Sequence, residues 1–498
     1  MNQGVSTPDD PRQEGPRPFL RRASVVSAVV ASAVMTLLGA GALTFWLTRP
    51  PPRVEASVPG MDGRPADMPV RDVVRIGTIF EKGPGKPSSL PGAWTSFRGA
   101  DFANIATPSA PLAEVWPSNG PPVLWSVDLG EGYAAPVVRD GRVFVLDYDE
   151  ALRADMLRCL SLDDGRELWR RGYGLQLKRN HGLSRTIPAV SARHVVTLGP
   201  RGHVMCVEAD SGRFIWGIDL ERRFGTTVPD WYSGQCPLID GDTVVLAPCG
   251  TNIFLLGVDL ASGNVVWETP APGAWKMSHS SIAPAVIGGR RMYVYPAVGG
   301  MAGVAADGDD RGSVLWKTTE WGASVIAPAP VVLPDGRVFV TAGYGAGGMV
   351  FRVTREGAAF AVETIRKFGP KDGLACEQQT PIFHRDRLFA VLPKDAGASR
   401  SQFACADYDG KILWTSGKEA RFGLGPFLVA GDRFLILDDN GELTMARVDP
   451  EGFRVMARAQ VLNGTDSWGP LALAGTRLLL RDSKRMICLE LGKPEEMP

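Results

Sequence analysis

The side chains best suited to chemistry lie in short stretches between strand-like apolar runs. Tyr133 occupies one stretch, His181 and Arg185 the next, and Trp231, Tyr232 and Gln235 a third. Trp275, Lys276 and His279 share a fourth and Trp321 stands in a fifth, with Glu377 and Gln378, then Asp466 and Trp468, further on. Indole and phenol rings offer stacking and cation–π surfaces. Arg185 and Lys276 offer counter-charges to an anionic ligand, Gln235 and Gln378 offer amide hydrogen bonds, and Glu377 and Asp466 are the acids placed to act as a general base.

What this set lacks is equally informative. The chain has seven cysteines, none adjacent to another, and neither a Cys-x-x-Cys nor a His-x-x-x-His pair, so no zinc site is expected. The five histidines show no metal-ligand spacing, which argues against a histidine-built metal site. "DGDD" (307–310) and "DYDG" (407–410) lack the remaining ligands of a calcium loop and read as turns. No metal ligand is therefore assigned. Lys+Arg and Asp+Glu are both 54, so no net field favours nucleic acid.

The elements that must position these residues are repeats. A phrase Gly-x-x-x-Trp recurs as Gly165/Trp169, Gly212/Trp216, Gly263/Trp267, Gly312/Trp316 and Gly410/Trp414. From Trp125 onward these tryptophans are 44, 47, 51, 49 and 98 residues apart, so the last gap hides a copy without Trp near Ile365. Another copy places Met456 four residues after Gly452. Independently, a proline opens an apolar run eight times, at Pro136, Pro188, Pro237, Pro284, Pro330, Pro381, Pro426 and Pro470. Proline suits the first residue of a strand, where its missing N–H is not needed.

Four strands in roughly 48 residues, repeated around a ring, make a β-propeller. The expected fold is therefore all-β: an eight-bladed propeller of four-stranded blades with strands from about residue 121. The eighth repeat stops after "MICLELG" (486–492), one strand short, while "PPVLWSVDL" (121–129) is a fourth strand without a blade. The N-terminal strand should close the last blade and remove two open edges. The repeated Trp and the phase-locked Cys159, Cys206, Cys405 and Cys488 read as core. In such a ring, the connectors entering the innermost strands converge on one channel mouth, which gathers the recognition residues named above.

Ahead of the propeller, residues 23–48 are uncharged and mostly apolar and follow Arg17, Arg21 and Arg22. That length suffices for one transmembrane helix, with a cytoplasmic tail (1–22) and an exported remainder. A cleaved signal peptide ending near Ala40-Gly41-Ala42 is the competing reading, set against an apolar run that continues through Trp46. Residues 49–92 read as a Pro/Gly-rich tether, and 93–498 as the propeller with its docking segment "GAWTSFRGADFANI".

The phrases "VEADSGRFIW" and "VDLASGNVVW" resemble the pyrroloquinoline-quinone (PQQ) repeat, Ala-x-Asp-x-x-(Thr/Ser)-Gly-x-x-x-Trp, and "FACADYDGKILW" is one residue short of it. The resemblance runs from Trp94 to Gly492. It implies a family that includes quinoprotein alcohol dehydrogenases and the outer-membrane assembly lipoprotein BamB. Quinoprotein dehydrogenases hold PQQ against a Trp and beneath a disulfide of adjacent cysteines, with calcium alongside. This chain has no adjacent cysteine pair and no Cys-x-x-Cys-His for haem attachment.

The expected function is therefore a membrane-anchored scaffold in the cell envelope, its propeller periplasmic and without cofactor. It would bind an envelope protein, a glycan or a small ligand at the channel mouth. The alternative is an oxidoreductase with PQQ and calcium. There Arg185 or Lys276 would hold the cofactor's carboxylates, Trp231 or Trp468 would stack on it, and Glu377 or Asp466 would act as base. A sensor of small molecules or glycans signalling through the anchor is a third reading.

Overall fold

The computed structural model describes residues 18–48, 73–449 and 451–493. Residues 1–58 and 59–498 form separate units. In the first, Pro18–Thr48 is one α-helix, in which Thr36 and Thr44 donate their hydroxyls back to the carbonyls of Ser32 and Ala40. The span expected over 23–48 is thus helical. Among the described residues, however, no helix is long and apolar enough to cross a membrane.

The second unit is the eight-bladed propeller. Blades 1 to 4 run Val137–Gly174, Ala189–Asp219, Leu238–Pro270 and Ala283–Thr318. Blades 5 to 7 run Val331–Phe368, Ile382–Thr415 and Phe427–Gln460. Blade 8 (Ala472–Glu490) has three strands of its own, and Val123–Asp128 pairs antiparallel with Arg485–Glu490 as the fourth, placing Trp125 opposite Cys488. Ring closure by the N-terminal strand is as expected.

The repeated phrase has a packing reason. In blades 1 to 4 the glycine of the phrase lies under the preceding blade's tryptophan. A Cβ on Gly212 would come 2.6 Å from Trp169, and one on Gly165 2.7 Å from Trp125. Both glycines also hold a positive φ, 67° and 70°, in the turn before the outer strand. Trp125 and Trp216 donate their indole N–H to the carbonyls of Leu162 and Leu260 in the next blade, at 3.0 and 2.9 Å. At the copy lacking Trp, Phe339 and Phe368 pack on Gly410 instead. The phase-locked cysteines are buried in this core, and all seven are free thiols.

The tether expected over 49–92 needs a correction at its C-terminal end. Ile79–Lys82 adds a fifth strand to the outer edge of blade 1, paired with Trp169–Gly172, while Val74 and Ile76 pack on the core. Residues 88–113 then cross the channel end where the first and second strands of each blade turn. Ser88 bonds the Gly141 turn, and Trp94 pairs with Val138 in the innermost strand of blade 1. Ile105–Ala106 lies parallel to the innermost strand of blade 7. Between them Arg98 is buried and donates to the carbonyls of Phe102, Ala103, Thr380 and Pro381. Burial lowers its pKa to about 9. The docking segment therefore fills the channel from that end.

Candidate functional site

Antiparallel strands alternate in direction. The connectors into each innermost strand therefore share one end of the ring with the hairpins between second and third strands. Two side-chain groups form at this end.

In the first, Tyr133 and Trp468 stand with ring centroids 5.2 Å apart. Arg185 caps the Tyr133 face at 5.2 Å and Lys394 caps Trp468 at 5.5 Å. The Trp468 indole donates to Asp439 at 2.7 Å, and Gln379 donates to the Trp468 carbonyl at 3.0 Å. Arg185 spends its Nη2 on the carbonyls of Asn180, His181 and Gly182. Burial lowers its pKa to about 10. Glu377 is buried close to Lys394, and burial raises its carboxyl pKa.

In the second, Trp231 from the connector into blade 3 stacks on Tyr344 of blade 5, centroids 6.2 Å apart and planes within 12°. The His279 ring also lies 6.2 Å from Trp231. Burial, helped by the Arg185 charge, lowers the His279 pKa to about 4, so it is neutral at physiological pH. Tyr232 donates its hydroxyl to the Lys178 carbonyl at 2.7 Å. Tyr344 is 60% exposed.

The backbone at this end is strained. His181, Trp231, Tyr232, Tyr344 and Asp466 all hold positive φ, from 50° to 73°. A non-glycine residue so held costs of order 1–3 kcal/mol, and such residues cluster where function requires a fixed side chain.

Other expected site residues lie elsewhere in the packing. Gln235 is fully buried, clamping Ala247 through both amide groups and touching the Tyr295 hydroxyl. Trp275 is buried edge-on against Phe254, centroids 5.4 Å apart, and Trp321 is buried in the core beside blade 5. These three side chains support the fold rather than a surface. His181 and Lys276 are exposed, Gln378 is half-buried, and Asp466 lines a cleft between blades 8 and 1.

The sequence reading missed Tyr344, Lys394, Asp395 and Asp439, which sit on hairpins between second and third strands. Asp395 fixes the Tyr344 turn by accepting the Gly345 N–H at 2.6 Å. Counting strands from each proline would have placed those hairpins on the connector face.

A family model described as outer membrane protein assembly factor BamB matches residues 153–395. BamB of Yersinia pestis is 26% identical over 202 residues, covering 40% of this chain and 46% of that protein's length. The chain thus spans less than half of the curated relative it matches. Among solved structures, BamB from Moraxella catarrhalis superposes with a TM-score of 0.51 at 13% identity, covering 74% of this chain and 99% of that one. A europium-containing methanol dehydrogenase gives 0.55 at 11% identity, covering 80% and 90%. At such identities the likeness is one of fold, and the same ring hosts both a dehydrogenase and an assembly factor. The repeat phrase, the eight blades closed by an N-terminal strand and the BamB-like match over 153–395 together make this chain similar to the PQQ-repeat β-propellers.

Proposed function

We propose that the protein is a binding scaffold of the cell envelope whose connector face captures a partner protein. The observation that carries this reading is the Trp231–Tyr344 pair. Two aromatic residues from blades far apart in the chain are each held in the left-handed backbone region and stacked, with Tyr344 largely exposed. Rigid, partly exposed aromatic anchors of this kind are typical binding hot spots. The BamB-like repeats over 153–395 support an envelope role.

Membrane attachment through the N-terminal helix belongs to the same proposal. Val29, Val30, Val34, Met35, Leu37, Leu38, Leu43, Phe45 and Leu47 are all exposed, on every side of that helix. A helix apolar all round needs an apolar surrounding, which a bilayer supplies. The propeller would then stand in the periplasm.

The PQQ and calcium alternative draws less support from the residues present than the scaffold reading does. Arg185 gives its Nη2 to backbone carbonyls, Trp231 is stacked on Tyr344, and the Trp468 ring packs against Tyr133 and Lys394. Among the described residues no group of three His, Cys, Asp or Glu side chains is placed to hold a metal. We derive no redox step, and a cofactor-free scaffold is the reading proposed.

Affinity capture from envelope extract with the 59–498 unit as bait tests it. Changing Trp231 and Tyr344 together to Ala should remove the captured partner while the melting temperature changes little. Retention of the partner by the double variant overturns the reading, whereas a glycan or small molecule retained instead would replace the protein partner.

A further inference from the structure

Apart from the Trp231–Tyr344 pair, the connector face opens where blade 8 meets blade 1 into a cleft of about 660 Å³. One wall follows the closing strand at Asp128, a second carries Glu131, Tyr133 and Arg179, and the third belongs to blade 8. Most of its charges are already matched. Glu131 accepts from Arg179 at 2.7 Å and from the Gly182 N–H at 3.2 Å. Asp482 takes the N–H groups of Lys484 and Arg485, each at 2.8 Å, and Arg485 bonds the Ser126 hydroxyl at 2.7 Å. Beneath them the fully buried Arg481 spends its guanidinium on four carbonyls, those of Gly130, Ala134, Asp482 and Ser483.

The side chains of Asp128 and Lys484, both exposed, have no such partner among the described residues. Asp466 has none either: its carboxylate, half-buried in the cleft wall, makes no hydrogen bond or ion pair among the described residues. It also lies close enough to Tyr133 to oppose ionisation of that phenol, adding to the effect of burial. A partly desolvated carboxylate beside a phenol oxygen is a pair of acceptors awaiting a charged donor.

We propose that this cleft receives one arginine or lysine side chain from an extended polypeptide, its cation pairing with Asp466 and donating to the Tyr133 hydroxyl. Arg179 and Lys484 on the same cleft repel a run of positive charge, so the fit is to an isolated basic residue flanked by neutral or acidic ones. That the ligand is a polypeptide rests on the scaffold reading; the cleft and its unmatched carboxylate do not. Because the walls come from the closing strand and from both ends of the ring, occupancy also holds the ring shut.

The test uses the 59–498 unit and two blocked peptides, acetyl-Gly-Arg-Glu-amide and its citrulline counterpart, which keeps shape and loses charge. Calorimetry should show saturable binding of the arginine peptide at least tenfold tighter than the citrulline peptide, with a rise in melting temperature. Asp466→Asn should reduce the arginine peptide to the citrulline level. Asparagine tolerates the left-handed backbone at this position, where φ is 59°, so the fold is kept. Asp466→Glu, which retains the charge, should recover part of the preference. Equal binding of the two peptides, no saturable binding of either, or indifference to Asp466→Asn overturns the proposal. Arginine-selective binding with no partner captured at Trp231 and Tyr344 would sink the scaffold reading and leave the cleft standing.

Discussion

Asp155 should make this propeller less stable as pH rises through neutrality. The side chain is 1% exposed at the start of blade 1's third strand and accepts the Tyr173 hydroxyl at 2.7 Å. Its other oxygen, Oδ1, is buried without a partner. The Gly199 backbone of blade 2 presses on this pair, and His203 lies edge-on to Tyr173 at 5.3 Å. Asp147 and the Tyr148 hydroxyl add no compensating positive charge. Burial raises the Asp155 pKa from the usual 3.8 to about 7, outweighing the Tyr173 hydrogen bond.

The sign follows from linkage. The folded state holds this proton more tightly than the unfolded chain does. Its contribution is full below about pH 4, is lost as pH rises through about 7, and is flat above that. Ionising a carboxyl displaced by about three pH units costs about 4 kcal/mol. Asp155→Asn keeps an acceptor for Tyr173 and removes the charge, at the expense of a buried amide N–H worth about 1–3 kcal/mol. Above pH 7 the variant should therefore gain about 1–3 kcal/mol, a rise of the order of 1–3 °C in melting temperature for a domain of this size. Below pH 4 it should be no more stable than the parent. Parallel melting curves from pH 4 to 8.5 would refute this account of the blade 1–blade 2 interface.

Two further outcomes follow from packing. Gly212→Ala should destabilise the ring by about 2 kcal/mol or more, combining a positive φ with a Cβ 2.6 Å from Trp169; a melting temperature within 1 °C of the parent, by the scaling above, would contradict the interlock. In a truncation series, a chain beginning at residue 116 should melt below one beginning at 59, because it loses the Trp94–Arg98 channel segment. A chain beginning at 131 also loses Trp125, worth about 3–5 kcal/mol when removed from a core, and its blade 8 should exchange amide hydrogens fastest. Equal stability of the last two would refute ring closure.

The fold was legible because its signals are periodic. Proline at each strand entry and Gly-x-x-x-Trp at each outer strand give blade number and closure without any knowledge of distant contacts. What the phrase conceals is that its glycine serves the neighbouring blade's Trp, a relation between residues a whole repeat apart. The channel-filling segment was only half legible. "GAWTSFRGADFANI" looks ready to dock, but Arg98 seeking four carbonyls has no local pattern, and neither has Ile79–Lys82 adding to blade 1. At the connector face the sequence supplied Trp231, Arg185, Tyr133 and Trp468. It could not separate them from Trp275, Trp321 and Gln235, because burial depends on the neighbouring blade. Tyr344 and Asp395 escaped because their hairpins were not counted as part of the same face.

The central claim is that the connector face is where a partner docks, and a photo-crosslinking amino acid at position 344 tests it most directly. Tyr344 is exposed beside Trp231, whereas Leu413, 46% exposed on the outer strand of blade 6, lies on the rim and serves as the control position. Irradiation of intact cells should give a discrete crosslinked protein from position 344 and none from position 413. Crosslinks of equal yield from both positions, or from 413 alone, would contradict the account.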